Sequence, residues 1–192
     1  MKKYLALGVV LAVAACGGGP SKPPRNLDDA CAIIKERPQY FNAMRRTEAR
    51  WGVPVAVQMA TIHQESKFDG NAKTPQRFAL GIIPLGRQSS AYGYSQALDG
   101  TWDEYREDTH RFGARRNRIS DATDFMGWYM DGTQKKLGIS KADARNQYLA
   151  YHEGRGGYSR GSHRSKSWLL AVADRVASRA QMYEIQLQSC RR

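Results

Sequence analysis

The sequence predicts a mostly α-helical protein with one domain, because three observations agree. Its 192 residues suit one folded unit with a short tail, and its hydrophobic and charged fractions of 41% and 25% are ordinary for a globular protein. Apolar residues recur at helical spacing in several stretches, for example Val55, Met59 and Ile62. Proline and glycine separate these stretches, and we find no internal repeat and no convincing run of strands.

Three helices are predicted at the start of the domain. Residues 28–29 open a short helix that stops near Pro38, and Pro38 begins the second helix. Gly52 ends that second helix. Pro54 then starts a third helix, which carries Glu65 close to its end.

Residues 69–91 are predicted to form a long loop, because Gly, Pro, Ser, Thr and Gln interrupt the segment without a sustained period. Within it, residues 82–85 are a short strand or a buried turn. Loops of this length inside compact domains are often functional. Four helices follow. We expect Asp99 or Thr101 to cap the first, Ser120 to open the second and Ser140 to cap the third, while the last begins at about Trp168. Gly138 and Gly154 are expected to end the second and third.

Residues 1–15 have the features of a secretory signal, since two lysines precede an apolar run that is too short to span a membrane. The Val-Ala-Ala-Cys sequence of residues 13–16 resembles the lipobox of bacterial lipoproteins. That resemblance implies cleavage before Cys16 and lipidation of this cysteine, and Gly17 favours sorting to the outer membrane, facing the periplasm. An ordinary signal peptide with a chance cysteine is the alternative.

The predicted organisation is a signal peptide over residues 1–15, a lipidated flexible tether over residues 16–27 and a folded domain over residues 28–192. Glycine and proline give the tether its composition. With Cys16 lipidated, Cys31 and Cys190 remain as an even pair in an oxidising compartment, which predicts a disulfide bond. Two unrelated buried thiols are the alternative.

The chain is strongly basic, with a formal net charge of +12, and such a surface attracts polyanions. Because an exported lipoprotein seldom meets nucleic acid, we expect cell-wall polymers and anionic lipid head groups as partners instead. The arginine-rich run of residues 111–118 is most simply a solvated basic face.

Glu65 is the first candidate for catalysis, because an acid follows the apolar face of the third helix at the next helical step. Apolar neighbours such as Ile62 and the negative end of the helix dipole both disfavour the carboxylate, which predicts a raised pKa for Glu65. A carboxyl that stays protonated near neutral pH suits a general acid. On periodicity alone, a glutamate lying in solvent at a helix end is an open alternative.

Three segments resemble the motifs of the soluble lytic transglycosylase (SLT) domain, in that family's order. Residues 62–69, Ile-His-Gln-Glu-Ser-Lys-Phe-Asp, resemble the first motif, a helix that ends in Glu-Ser-x-Phe. Residues 93–96, Gly-Tyr-Ser-Gln, resemble the second, Gly-Leu-Met-Gln, and are followed by Thr101. Residues 149–154, Leu-Ala-Tyr-His-Glu-Gly, resemble the third, Ala-Tyr-Asn-Ala-Gly. Together the resemblance spans about residues 40–185.

The resemblance implies a lysozyme-like fold whose cleft binds peptidoglycan glycan strands and cleaves the bond between N-acetylmuramic acid and N-acetylglucosamine. It implies that Glu65 is the acid/base and that Ser66, Gln96 and Tyr151 are substrate-binding. Tyr94 and Tyr151 are the aromatic residues that we expect first to stack on sugars. In the family the substrate's acetamido group assists and its 6-hydroxyl attacks, leaving a 1,6-anhydro sugar, so one acid/base suffices.

The chain departs from the family pattern in two ways. His152 and Glu153 replace Asn and Ala of the third motif, and Glu153 is a hypothetical second carboxyl near the site. About thirty residues separate Glu65 from Gln96, so we expect the long loop to lie beside the glycan cleft. Hydrolysis of glycosides usually needs two carboxyls, and three further acids can be proposed for that role: Asp69, Asp99 and Asp103.

Other functions receive weaker support from the sequence. The histidines suggest a metal site only loosely, because the sequence lacks a His-x-x-x-His pair, and we expect no metal and no organic cofactor. A non-catalytic peptidoglycan-binding envelope lipoprotein on the same fold and a hydrolytic muramidase are the two alternatives to a lytic transglycosylase. Partners in an envelope assembly stay open.

Overall fold

The computed structural model describes residues 22–79 and 82–190, so the predicted signal peptide and Cys16 lie outside the described residues. Within these ranges the chain forms seven α-helices and one two-stranded sheet, which confirms the mostly helical fold class. None of the helices in the described ranges is long and apolar enough to cross a membrane. A single hydrophobic core joins side chains from the first helix to the last.

The first three helices follow the predicted boundaries. They are α1 (Ala30–Glu36), α2 (Pro38–Trp51) and α3 (Val55–Ser66). The Asp29 side chain caps α1 by accepting hydrogen bonds from the backbone N–H groups of residues 31 and 32, at 2.8 and 3.1 Å. Gly52 ends α2 in the left-handed conformation, with φ of 72°.

Helix α3 is the central element of the domain. Nine of its twelve residues are buried, so the helix is enclosed on most sides rather than on the single face that its spacing predicts. It packs mainly against α7 (Ser167–Cys190), with further contacts to α2, to α5 (Ile119–Leu137) and to α6 (Ala144–Ser159). The Gln58 amide lies inside this core and donates to the carbonyls of Met44 and Val53, at 3.0 and 2.8 Å.

The segment predicted as a long loop contains a β-hairpin instead. Strands β1 (Gln76–Ala79) and β2 (Ile83–Arg87) pair antiparallel, and the register shifts between Gln76 and Phe78. The Thr74 hydroxyl donates to the carbonyl of Ser89 at 2.9 Å and closes the base of the hairpin. Strand β2 overlaps residues 82–85, for which a short strand was one of the two expectations. Strand β1 was not predicted, because it is short and an irregularity interrupts its pairing.

Three predicted details of the later helices are wrong. Helix α4 (Asp99–Asp108) has Leu98 as its N-cap, rather than Asp99 or Thr101. Asp143, not Ser140, caps α6 by accepting from the backbone N–H of Asn146 at 3.0 Å. Gly154 bends α6 without ending it: its φ of 73° and ψ of 153° lie outside the helical region, and helix resumes up to Ser159.

The two ends of the described chain are joined. A disulfide bond links Cys31 to Cys190, between α1 and the end of α7. The predicted tether also ends earlier than residue 27, because Leu27 packs against the core and its carbonyl accepts a hydrogen bond from the Tyr183 hydroxyl. The backbone N–H of Arg25 likewise donates to the Glu36 carboxylate at 3.1 Å. Arg25 and Leu27, at the end of the predicted tether, therefore contact the domain.

Candidate active site

Glu65 lies in the last turn of α3, and its side chain is half-buried. The backbone N–H of Lys67 donates to the carbonyl of His63 at 3.1 Å and closes that turn. Lys67 and Phe68 then adopt positive φ angles of 52° and 62°, so the chain leaves the helix abruptly. The Glu65 carboxyl is thus presented by a rigid, buried helix at the point where the backbone turns away.

The surroundings of Glu65 favour its protonated form. Burial raises the pKa of Glu65 to about 7, against the opposing effects of a hydrogen bond from the Tyr148 hydroxyl and the positive charge of Lys67. The sequence predicted a raised pKa, and the structure attributes the increase to burial. A carboxyl with this pKa is protonated in a large fraction of molecules at neutral pH, and its ionised form can take the proton back.

Helix α6 supplies two tyrosines to the site. Tyr148 is buried and bonds to Glu65, which raises the pKa of the Tyr148 phenol further above its usual value. Burial and the Glu65 charge also raise the pKa of Tyr151, whose hydroxyl donates to the Ser95 carbonyl at 2.6 Å. The structure thus brings Tyr151 of the third motif close enough to Glu65 for the two groups to interact.

Tyr148 is the site residue that the sequence did not single out, because it lies outside the three motifs. A signal for it exists in the spacing. Tyr148 and Tyr151 are three residues apart on α6, and residues at this spacing share a helix face.

Two residues predicted to bind substrate serve the scaffold instead. The Ser66 side chain is buried, and its hydroxyl donates to the carbonyl of Tyr94 at 2.9 Å and lies 3.2 Å from that of Ile62. Tyr94 is 2% exposed, and its hydroxyl bonds to that of Tyr40 at 2.9 Å inside the core. Neither side chain presents a face to a sugar, so Ser66 and Tyr94 join the first motif to the second.

Gln96 holds the turn of the second motif and also faces a cavity. Its φ is 49°, and its side-chain nitrogen donates to the carbonyls of Ala72 and Gly93, at 3.0 and 2.8 Å. The cavity has a volume of about 240 Å³ and lies between the second and third motifs. Gln96, Tyr151 and His152 line it, together with Thr101 and Glu153.

The basic run of residues 111–118 is not merely a solvated face. The backbone carbonyl of Arg116 accepts from the Tyr94 N–H at 3.3 Å, and the Arg116 guanidinium donates to the carbonyl of Ala97 at 2.8 Å. Position 93 requires a glycine, because a Cβ there would lie 2.2 Å from the Arg116 carbonyl oxygen. This run therefore supports the turn that carries Gln96.

The chain that carries this arrangement of one acid and two tyrosines resembles one known protein family. The chain matches the family described as transglycosylase SLT domain over residues 4–190, almost its whole length. It belongs to that family. Membership implies a peptidoglycan-acting transglycosylase with peptidoglycan as the bound substrate. A comparison with curated proteins gives no match.

The hydrogen bonds of Glu153 do not suit a second catalytic acid in the SLT domain. Its carboxylate accepts from Lys166 Nζ at 2.8 and 2.9 Å and from the Ser162 hydroxyl, and it lies 3.1 Å from His152 Nδ1. These hydrogen bonds lower the pKa of Glu153 to about 2. A carboxylate held in this way anchors its neighbours and has no proton to donate at neutral pH.

The other acids proposed as a partner for Glu65 are engaged elsewhere in the SLT domain. Asp69 accepts from the backbone N–H of Asn71 at 2.8 Å. Asp99 pairs with Arg116 at 2.7 Å, and Asp103 pairs with Arg106 at 3.1 Å. Among the described residues, the groups that shift the pKa of Glu65 include no carboxylate.

His63 lies in positive surroundings that disfavour a metal ion. It lines a cavity of about 390 Å³ between α3 and α7, together with Lys67, Arg175 and Arg179. Its Nδ1 lies 3.3 Å from Lys67 Nζ, and burial, Lys67 and Arg179 lower the pKa of His63 to about 4. The imidazole is therefore neutral at neutral pH, and a further cation beside it meets repulsion.

Proposed function

We propose that this SLT domain is a lytic transglycosylase, which cleaves the bond between N-acetylmuramic acid and N-acetylglucosamine and leaves 1,6-anhydromuramic acid ends. One observation carries the proposal: burial raises the pKa of Glu65 to about 7, and among the described residues no second carboxylate shifts that pKa. Hydrolytic glycosidases usually pair such an acid with a second carboxyl. In the described part of this chain, the other candidate carboxyls are committed to cations or to backbone N–H groups.

The reaction then needs one residue in two roles. The Glu65 carboxyl donates its proton to the glycosidic oxygen, which leaves on the N-acetylglucosamine as the bond to the muramic C1 breaks. The Glu65 carboxylate next takes the proton of the muramic 6-hydroxyl, whose oxygen bonds to C1. The proton returns to Glu65, and no water is consumed. The Tyr148 hydroxyl supports the carboxylate between the two steps.

The decisive experiment is mass spectrometry of muropeptides released from purified sacculi by the domain and by its Glu65→Gln variant. Anhydromuramic ends from the parent alone support the transglycosylase and its acid together. Reducing ends would make the protein a hydrolytic muramidase. Sacculus binding without products, unchanged by Glu65→Gln, would support the non-catalytic binding lipoprotein instead.

We also propose that the protein is an outer-membrane lipoprotein facing the periplasm, with residues 1–15 removed and Cys16 lipidated. The support is the lipobox-like sequence of residues 13–16 and the glycine at position 17. Metabolic labelling with a fatty acid tests it. Label should enter the protein in the outer-membrane fraction and should be absent from a Cys16→Ser variant, whereas label-free parent protein would support an ordinary signal peptide.

A further inference from the structure

A row of aromatic rings leads from Glu65 to solvent between α6 and α7. Tyr148 bonds to Glu65, and its ring centre lies 6.4 Å from that of His152. The His152 ring in turn meets Trp168 edge to face, with centres 5.3 Å apart. Trp168 is 56% exposed, although indole is among the side chains that gain most from burial.

Glu153 fixes both rings at the outer end of this row. Its carboxylate lies 3.1 Å from His152 Nδ1, which orients the imidazole. The same carboxylate binds Lys166, and the carbonyl of Lys166 accepts from the Leu169 N–H at 2.9 Å at the start of α7. One buried carboxylate therefore sets the position of His152 and of the helical turn that carries Trp168.

We propose that His152 and Trp168 form an aromatic platform that binds a sugar ring of the glycan strand beside the cleavage site. The inference rests on the proposed function, because it takes the glycan as the ligand. A pyranose ring offers an apolar C–H face that fits an exposed indole. His152 also lines the cavity shared by Gln96 and Tyr151, so the platform is continuous with the site.

The platform gives the two departures from the third motif a common role. The Asn and Ala of the family pattern supply neither an aromatic ring nor a carboxylate. In this chain His152 supplies the ring that meets Trp168, and Glu153 supplies the carboxylate that holds Lys166. A rigid platform binds more tightly than a mobile one, because less side-chain entropy is lost on binding.

Binding without turnover tests the platform directly. In the Glu65→Gln background, we expect Trp168→Ala to weaken binding of soluble β-1,4-linked N-acetylglucosamine oligomers about five- to tenfold. Tryptophan fluorescence should change on binding, and that change should disappear in Trp168→Phe. Phe112→Ala is the matched control, because Phe112 is 61% exposed and its ring also lies beside a histidine, His110. Unchanged affinity in Trp168→Ala would overturn the proposal.

The role of Glu153 has its own test. Glu153→Gln should weaken oligomer binding about threefold or more when Trp168 is present and should have no further effect in Trp168→Ala. Additive losses in the double variant would overturn the claim that Glu153 acts through Trp168. Circular dichroism of each variant checks that the helices are retained.

Turnover of sacculi separates this proposal from the proposed function. In the active enzyme, Trp168→Ala should raise KM, with kcat and the anhydro products unchanged. Oligomer binding that depends on Trp168, in a protein that makes no anhydro ends, would retain the platform and reject the transglycosylase. Anhydro ends, together with oligomer binding that does not depend on Trp168, would retain the transglycosylase and reject the platform.

Discussion

Glu65 and Glu153 are the same residue type on two helices that contact each other, α3 and α6, yet their environments give them opposite properties. The pKa is about 7 for Glu65 and about 2 for Glu153. Glu65 receives one hydrogen bond from a neutral phenol, whereas Glu153 receives an ammonium group, a hydroxyl and an imidazole. Burial therefore makes Glu65 an acid, whereas the charge and number of its donors make Glu153 an anchor.

The largest expected effect is on turnover. Glu65→Gln should reduce product release by about 10²- to 10⁴-fold, because the amide can neither donate nor accept the proton. Glu153→Gln should keep most of kcat at saturating glycan, since its carboxylate holds the platform and moves no proton. Initial rates of muropeptide release measure both variants. A Glu153→Gln variant that binds glycan normally but has lost its kcat would break the comparison.

Stability should depend on pH in opposite directions for the two glutamates. The pKa of Glu65 is raised from 4.5 to about 7, so its contribution is favourable below about pH 4.5 and is lost as pH rises to about 7. The pKa of Glu153 is lowered from 4.5 to about 2, so its contribution is present above about pH 4.5 and is lost as pH falls to about 2.

Urea unfolding of the two Gln variants at pH 4.5 and pH 8 measures this dependence. From pH 4.5 to pH 8, the unfolding free energy of Glu65→Gln should rise by about 2–3 kcal/mol relative to that of the parent. Glu153→Gln should be about 1–2 kcal/mol less stable than the parent at pH 8, a value discounted because Lys166 is partly exposed. Parallel curves for parent and Glu65→Gln would mean that the Glu65 pKa is unshifted.

Tyr148→Phe should raise the pKa of Glu65 and widen its difference from that of Glu153, because the substitution removes the hydrogen bond that lowers the Glu65 pKa. The alkaline limb of the kcat/KM profile should then move to higher pH, by up to about one unit. Tyr151→Phe is the matched control, since the Tyr151 hydroxyl donates to the Ser95 carbonyl. A limb that moves in Tyr151→Phe but not in Tyr148→Phe would reassign the hydrogen bond.

The smallest expected effect is that of Lys67→Met. The Lys67 charge lowers the pKa of Glu65, so its removal should move the same limb upward, by a few tenths of a unit. Lys67 is exposed, and salt should therefore screen the difference. Profiles at low and high ionic strength measure it, and a difference that grows with salt would contradict a coulombic origin.

Local chemistry explains what could be predicted from the sequence. Pro38 and Gly52 set helix ends through backbone preferences that need no tertiary contact, and both boundaries lie where the pattern predicts. The raised pKa of Glu65 was also predictable, because the apolar residues one and two turns before it mark a buried helix face.

Long-range contacts explain what could not be predicted. The hairpin pairs Gln76 with Arg87 across an irregular register, and no local pattern encodes that pairing. Tyr94 looks like a sugar-stacking residue until Tyr40, from a distant helix, fills the space beside it and bonds its hydroxyl. Glu153 looks like a second acid until Lys166 approaches from the start of α7.

The bond between Cys31 and Cys190 makes the domain a covalent ring of nearly the whole described chain. A protease that cuts the exposed hairpin once, near Ile82, would open this ring without dividing it. Both pieces would stay attached, with Glu65 on one and Tyr148 on the other. In a compartment that contains proteases, the molecule would therefore stay in one piece after a single cut, until the disulfide bond is reduced.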